Sequence, residues 1–351
     1  MGIWPADLQI VGKDILRFHA IYWPALLIAL GLPPARQVLC HNHWTMSNRK
    51  MSKSLGNVVN PVFALQRWDV DPLRYFLMRN GNFSKDMSYS NDIIGAVYVK
   101  ELQANIGNLF YRIAKPKSAT KWSTKEAVEV SNSGEFKKLD ALRVDAKFAH
   151  YFSLEGVLAQ AAAGFSKEMQ DYNTAGAIRE SYELLRETNR FITDTQPWHL
   201  TKSTDSQSRL LLNWTIHRSA EALRIAAILL QPIMPGKMKR LLDEMGVSPS
   251  RRTVRFAQPD ADDAYGTAND VKSNHDRAHK HLTLFPPMAS ADVSDAEVLQ
   301  QLQSYLGKKA TSKMNQMVEL LAMEARMGEE QIAKLLETEL PVHASMKKGD
   351  I

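Results

Sequence analysis

The chain changes character at about Asn91. Before this residue, short apolar runs alternate with turn signals, whereas after it long helical periodicities follow one another with few strand signals. This order predicts an α/β region followed by an all-α region. The 351 residues, 44% of them hydrophobic, supply enough apolar material for two or three domains and exclude a disordered or collagen-like chain.

A glycine joins a strand to a helix near the N-terminus. Residues 7–11 form a short apolar run that ends at Gly12, and a helical pattern opens at Lys13 and continues to Leu27. A second strand is predicted at 38–40, after the strong breaker at 31–34. A strand that feeds a helix through a glycine turn is typical of nucleotide-binding α/β sheets. We therefore expect a ligand site beyond the carboxyl ends of the strands.

Helical periodicities dominate the rest of the sequence. After a basic loop at about 47–60, two short helices are predicted near 61–68 and 71–78. Five longer helices are predicted to form an antiparallel bundle, with Asn173, Pro197 and Gly246 as start and stop signals. These five run over 92–114, 154–172, 174–195, 206–231 and 237–245.

Polar tracts interrupt and follow the bundle. Residues 117–135, rich in Ser, Thr and Lys, are predicted to be a loop or insertion, and 247–280 an irregular linker that ends at an apolar patch over 282–288. A final amphipathic helix is predicted over 295–340. The predicted domains are an α/β region at 1–90, a helical domain at 91–246, a linker at 247–294 and a helical tail at 295–351.

Composition limits the partners and cofactors. Lys plus Arg total 44 against 38 acids, and the net charge of +6 is a mild basic bias that suits a polyanionic partner. A single cysteine, Cys40, excludes a disulfide framework and a Cys-rich zinc site within this chain. No stretch reaches the ~20 apolar residues of a membrane helix, so no membrane partner is expected. His275 and His279 lie four residues apart, the spacing of one helix face, with His281 close by, but without a supporting carboxylate or cysteine framework no metal site is predicted.

The most informative string is the basic loop at 49–57. Its segment Lys50-Met51-Ser52-Lys53-Ser54 is identical to the second signature of class I aminoacyl-tRNA synthetases, and three cations on one loop suit the charge that develops on a pyrophosphate leaving group. The resemblance implies that Lys53 contacts the ATP phosphates. It also implies that Lys50 and Ser52 order the closed loop, and that Mg²⁺ accompanies ATP.

Flanking segments make the resemblance more specific. The runs Gly12–His19 and Tyr22–Ala25, the later Asp71-Pro72-Leu73-Arg74-Tyr75, and Gln196-Pro197-Trp198 resemble the methionyl-tRNA synthetases of the bacterial and organellar type, in the same order over Trp4–Met245. The fold implied is the end of a Rossmann-type catalytic domain followed by an antiparallel helical anticodon-binding bundle. The reaction implied is ATP-dependent ligation of methionine to its tRNA.

The resemblance also assigns ligands in the first region. Gly12 and Asp14 match positions that face the adenosine ribose, and His43 and Trp44 lie where the adenine is expected. Ile15 and His19 match contacts of the methionine side chain. With Trp23 they fall at i, i+4 and i+8, so the spacing predicts one helical stripe that suits a thioether; without the signature it would read as a core stripe.

Three residues of the helical region match anticodon readers. Asn108 and Arg112 lie four apart on one helix, and the matching pair helps to read the CAU anticodon. Trp198 matches a tryptophan that stacks on an anticodon base. Stacking plus hydrogen bonds to splayed bases is the usual chemistry of RNA-loop recognition, while the structural alternative for Trp198 is a core tryptophan at a helix end.

The first class I signature, His-x-Gly-His, does not occur in the sequence. We therefore expect the chain to be the C-terminal portion of such an enzyme and, alone, inactive in methionine activation. A non-catalytic tRNA-binding module built from the same parts remains an alternative, and so does a synthetase for another amino acid that shares the signature loop. The family resemblance favours the mitochondrial matrix, with the cytoplasm as the alternative.

Overall fold

A computed structural model of the chain describes residues 4–46, 48–52, 57–81, 83, 85–114, 122–266 and 283–286. Lys53, the three histidines at 275, 279 and 281, and the predicted helix over 295–340 lie outside the described residues. Within them the chain divides into two units, one made of 4–68 and 83–95 and the other of 69–81 and 96–286.

The first unit contains two small sheets. Strand β1, Leu8–Gly12, pairs in parallel with β2, Gln37–His41, and places Gly12 opposite His41. Both strands were predicted, and both are confirmed. The second sheet has β3, Trp44–Met46, at its centre, antiparallel to β4, Arg49–Lys50, and parallel to β5, Met87–Tyr89. Its strands of two or three residues were not predicted.

The helical connection from β1 to β2 is irregular. It begins with a 3₁₀ turn, Lys13–Ile15, widens into a π-helical stretch, Phe18–Tyr22, and ends as helix α1, Trp23–Ala29. Pro24 lacks the N–H that a regular α-helix would donate to the carbonyl four residues earlier, so the α pattern cannot run unbroken through this point. The predicted helix is confirmed, but its turns are not regular. Helix α2, Pro61–Trp68, ends the first stretch of this unit.

A long helical stretch follows β5. It consists of α4, Asn91–Val97, a π-helical segment, Tyr98–Gly107, and α5, Asn108–Ala114. Its extent agrees with the predicted helix over 92–114. π-helical turns are rare in proteins and frequent at functional sites, and this segment contains ten residues of them.

The second unit contains the remaining helices. Most of them agree with the predicted periodicities, and Asn173 caps α8 by accepting from Gly176 N at 3.0 Å. Of the two alternatives predicted for 117–135, a loop or an insertion, helix α6 contradicts the loop, because Ser123 provides an N-cap that the Ser/Thr-rich composition concealed. The helices are α3, Val70–Asn80; α6, Thr124–Asn132; α7, Glu155–Gln170; α8, Thr174–Thr195; α9, Pro197–Leu200; α10, Ser206–Leu230; and α11, Pro235–Glu244, with 3₁₀ helices at Glu135–Leu142, Ala146–Phe152, Pro249–Arg251 and Val254–Phe256.

Helix α10 is the centre of this unit. Every residue from 211 to 230 is buried, and the helix contacts α6, α7, α8 and α11. A helix buried on all sides belongs in the core of a protein. Asp71 and Arg74, from the run that resembles the family, fix α3 to this core: Arg74 donates to Ile233 O at 2.9 Å, and Asp71 accepts from Lys237 N at 2.5 Å at the start of α11.

The segment predicted as a linker packs on the helices. Residues 247–266 are irregular, as expected, but Val247 and Ala257 are fully buried, and Arg224 of α10 donates to Gln258 O at 2.7 Å. Further on, Leu284 and Phe285 of the predicted apolar patch are buried. In the part of the chain that the structure describes, no helix combines the length and apolarity needed to cross a membrane.

Candidate functional site

The first candidate site lies where the parallel strands of the first unit end. Gly12 closes β1 opposite His41, and a side-chain carbon added at Gly12 would lie 3.7 Å from both His41 Cε1 and His43 Nε2. The end of β1 therefore lies next to two imidazole rings, both within van der Waals reach of a side chain at this position. This is the edge of the sheet at which an open α/β fold binds its ligand.

Asp14 brings the signature loop to this strand end. Lys50, in β4, donates from Nζ to Asp14 Oδ2, and His43 Nε2 lies 3.7 Å from the same carboxylate oxygen. The hydrogen bond from Lys50 is the main cause that holds the pKa of Asp14 below its ordinary value. Four residues predicted separately from the sequence, Gly12, Asp14, His43 and Lys50, thus belong to one cluster.

Asp86 is a member of this cluster that sequence reasoning missed. Its carboxylate accepts from Lys13 Nζ at 2.7 Å through both oxygens and from His43 N at 2.9 Å. These bonds, that of Lys13 first, lower the pKa of Asp86. An acid next to a strand-like run, Met87–Tyr89, was the available signal, but its partners lie more than forty residues away in sequence.

The side chain of Asn57, at the C-terminal end of the signature loop, bonds to the backbone of the loop. Asn57 Oδ1 accepts from Ser52 N at 2.9 Å, and Asn57 Nδ2 donates to Lys50 O at 3.1 Å. The side chain therefore fixes the backbone on both sides of Met51. Lys53, the predicted phosphate contact, falls in the undescribed stretch 53–56 between these anchors. Trp44, the other predicted adenine contact, follows His43 as the first residue of β3.

The predicted methionine residues follow the irregular helix. His19 Nδ1 lies 3.0 Å from Ile15 O, which brings these two residues together one turn apart. Trp23 is 40% exposed, and its ring meets that of Trp4 edge-on with centroids 6.4 Å apart. A separate open groove on this helix is lined by Asp14 and Phe18 among others, and not by the trio. The shared methionine pocket stays a prediction.

The second candidate site lies in the helical unit. Asn108 is exposed at the start of α5, and Arg112 follows one turn later with its side chain half-buried. Burial lowers the pKa of Arg112, and among the described residues no acceptor pairs with its guanidinium. Trp122, which sequence reasoning missed, donates from Nε1 to Arg112 O at 3.2 Å. An incompletely paired arginine on a partly exposed surface can receive hydrogen-bond acceptors from a ligand.

Trp198 presents an aromatic surface to solvent. Gln196, with φ of 45°, ends α8 and turns the chain into α9, which Pro197 begins. Trp198 is the next residue and is 38% exposed, whereas Pro197 is buried. The exposure argues against the alternative of a core tryptophan. Anticodon reading by Asn108, Arg112 and Trp198 together stays a prediction.

Comparison with known proteins matches the chain to one family. The sequence model of the family described as class I tRNA synthetases (M) matches residues 4–114. The chain is 42% identical over 270 residues to the probable mitochondrial methionine–tRNA ligase of Neurospora crassa, which covers 76% of this chain and 42% of that protein. It is 36% identical to the methionine–tRNA ligase of Rickettsia prowazekii, over 72% of this chain and 46% of that one.

A solved structure of this family also matches the chain. The methionyl-tRNA synthetase of Mycobacterium tuberculosis bound by methionyl-adenylate superimposes with a TM-score of 0.64 at 29% identity, covering 81% of this chain and 50% of that chain. The class that the fold and the strand-end site define is therefore the class I aminoacyl-tRNA synthetases. Within that class, the chain belongs to the methionyl-tRNA synthetase family. It spans about half the length of the relatives it matches, or slightly less.

Proposed function

We propose that the chain is the C-terminal portion of a methionine–tRNA ligase, which activates methionine with ATP and transfers it to methionine tRNA. The observation that carries this proposal is the contact between Lys50 of the signature loop and Asp14 beyond the end of β1. It joins the loop assigned to the ATP phosphates to the strand end assigned to the nucleotide. The methionyl-adenylate bound by the Mycobacterium tuberculosis relative supports the same substrates.

The residues of this site suit an in-line attack of the methionine carboxylate on the α-phosphate of ATP. Gly12 and Asp14 face the ribose, while His43 and Trp44 adjoin the adenine. Lys53, with Mg²⁺ carried by the substrate, neutralises the charge that builds on the departing pyrophosphate. Lys50 and Ser52 order the loop that closes over it, and Asn57 fixes their backbone. Positioning and electrostatics, rather than covalent chemistry, are the protein's contribution.

Ile15, His19 and Trp23 form the methionine pocket in this proposal. Asn108 and Arg112 hydrogen-bond anticodon bases, and Trp198 stacks on one of them. The half-buried guanidinium of Arg112 and the exposed indole of Trp198 support this assignment. The names of fungal mitochondrial relatives support a mitochondrial location for the protein.

The exposed apolar surface of the first unit supports the view that the catalytic domain needs more than these residues. Ile21, Leu26 and Ile28 are 59%, 58% and 67% exposed, and the sheet beside them has two strands. Parallel sheets are normally covered on both faces. The absence of His-x-Gly-His from the sequence favours a second candidate for this chain alone, a tRNA-binding module without catalytic activity.

The proposal is tested by binding of the full chain to a methionine tRNA transcript and to a copy with a changed anticodon, at fixed salt. We expect tight binding to the first, and roughly tenfold weaker binding for Trp198→Ala through loss of one stacking contact. Trp4→Ala, at another exposed tryptophan, is the matched control and should bind as the unaltered chain does. Equal affinity for both transcripts would refute the anticodon assignment.

Methionine-dependent ATP–pyrophosphate exchange separates the two candidates. We expect no exchange with the chain alone. Exchange should appear when the chain is produced fused behind the N-terminal portion of the Neurospora crassa relative that this chain does not cover, and Lys53→Ala should abolish it. A fused protein that binds tRNA selectively and shows no exchange would favour the non-catalytic module.

A further inference from the structure

Two asparagine side chains bond across the helices that carry the proposed anticodon readers. Asn189, on α8, donates from Nδ2 to Asn105 Oδ1 at 2.7 Å and to Asn105 O at 3.2 Å. Asn105 Nδ2 in turn donates to Tyr182 O of α8 at 3.4 Å. Asn105 is 7% exposed, so its amide depends on these partners. The pair fixes one position along α8 against one position along the π-helical segment.

The pair lies close to the proposed readers on both helices. Asn105 precedes Asn108 by three residues and Arg112 by seven, which places them about one and two turns away. On the other side, α8 continues from Asn189 for six residues to Thr195, and the turn at Gln196 then presents Trp198. A shift between the two helices at Asn189 would therefore move Arg112 and Trp198 relative to one another.

We propose that Asn189 is a positioning residue for anticodon recognition. It sets the register between the helix that presents Asn108 and Arg112 and the helix whose end leads to Trp198. The inference rests on the proposed function. The side-chain amide of Asn189 suits this position because every group near its Nδ2 is a hydrogen-bond acceptor. Two of them are the oxygens of Asn105, and the third is Leu185 O at 3.1 Å. Without that donor, the buried amide of Asn105 loses its closest partner, and the two helices can slide.

The test measures the affinity of the full chain for the methionine transcript and for the copy with the changed anticodon. For Asn189→Ala we expect the ratio of the two affinities to fall about fivefold, the effect of one net hydrogen bond. The weak affinity for the copy with the changed anticodon should stay the same, because contacts to phosphates supply it independently of sequence. A merely structural role would lower both affinities together.

Asn132→Ala is the matched control. Asn132, on α6, also donates from its side-chain amide to a carbonyl, Asp263 O at 2.7 Å, at a place remote from the two asparagines in sequence. We expect comparable loss of thermal stability and an unchanged affinity ratio. Should Asn189→Ala fail to fold, Asn105→Ala decides the question, since it removes the Oδ1 acceptor and leaves the backbone carbonyl in place.

The outcomes are distinct. A wild-type chain that does not discriminate the two transcripts overturns the proposed anticodon function, and this inference with it. A wild-type chain that discriminates, beside Asn189→Ala or Asn105→Ala with the same affinity ratio, overturns only the positioning role. A lower affinity ratio in Asn189→Ala or Asn105→Ala, with the ratio preserved in Asn132→Ala, establishes the positioning role.

Discussion

Individual carboxylates organise the strand-end site. Asp14 holds Lys50, and Asp86 holds Lys13 together with the backbone of His43, so two acids connect three separate segments of the first unit. Both carboxyl groups have a lowered pKa because they accept hydrogen bonds from cations. The stability that each of these carboxylates adds to the folded state is therefore present above the ordinary pKa of an aspartate. It is lost as the pH falls through the lowered pKa.

The dependence of Asp14 on Lys50 can be measured directly. In Lys50→Met, we expect the pKa of Asp14 to rise toward its ordinary value, because its main hydrogen-bond donor is removed. Carboxyl ¹³C NMR titration of the wild-type chain and the variant reads this change. Lys125→Met, which removes a lysine paired with Glu129 in the other unit, is the control and should leave the titration of Asp14 unaltered. An identical curve in Lys50→Met would show that the contact does not persist in solution.

At the level of elements, helix α8 was predictable, whereas helix α6 and the strands of the second sheet were not. Helix α8 follows its apolar periodicity between Asn173 and the turn at Gln196, and its structure agrees with the prediction over the same residues. Strand β3 has three residues and pairs with β4, which follows it directly, and with β5, which lies far along the chain, so the second pairing falls outside any short sequence window. Asp86 was missed for the same reason.

Buried charge explains why residues 247–266, predicted as an irregular linker, pack on the helices. Glu221 and Arg224 of α10 form a fully buried ion pair, and Arg224 also donates to Gln258 O while Glu221 accepts from Asp260 N at 2.7 Å. The polar composition of this segment reflects partners inside the helical unit rather than contact with water. Such a pair needs every hydrogen bond satisfied, since removing one member leaves an uncompensated buried charge.

His217 gives α10 a pH dependence. The residue is buried against Phe136, with ring centroids 5.5 Å apart, and burial lowers its pKa to about 4. Between pH 6.5 and about 4, the unfolded chain binds a proton that the folded chain excludes, so stability falls as the pH falls. We expect His217→Leu to remove that part of the dependence.

Urea unfolding at pH 7 and pH 4.5 checks this expectation. The difference in unfolding free energy between wild type and His217→Leu should move in favour of the variant as the pH is lowered. Phe136→Leu, which alters the packing around His217 without removing a titrating group, should cost a similar free energy at both pH values. Parallel pH profiles for wild type and His217→Leu would contradict the assignment.

At the scale of the whole molecule, the two units differ in how they bury apolar residues. The helical unit places α10 inside a core, whereas the first unit exposes apolar side chains on and around α1. Helices that are apolar on all sides are normally buried. Together with a chain that covers 42–50% of its relatives, this contrast supports the proposal that further catalytic-domain residues cover α1 in the complete enzyme.

Two neighbouring leucines of α1 test that contrast. Leu26 is 58% exposed and Leu27 is 2% exposed, so a substitution by glutamate should affect stability at Leu27 and not at Leu26. We expect Leu26→Glu to reduce the binding of a hydrophobic fluorescent dye and the self-association seen by sedimentation, with thermal unfolding unchanged, because an exposed apolar surface promotes both. Leu27→Glu should lower the unfolding temperature, since it buries an unpaired charge. In the fused protein described above, we expect Leu26→Glu instead to destabilise the first unit, because the proposal places further residues over this side chain. Equal effects of the two substitutions in this chain would mean that α1 is already covered on both faces.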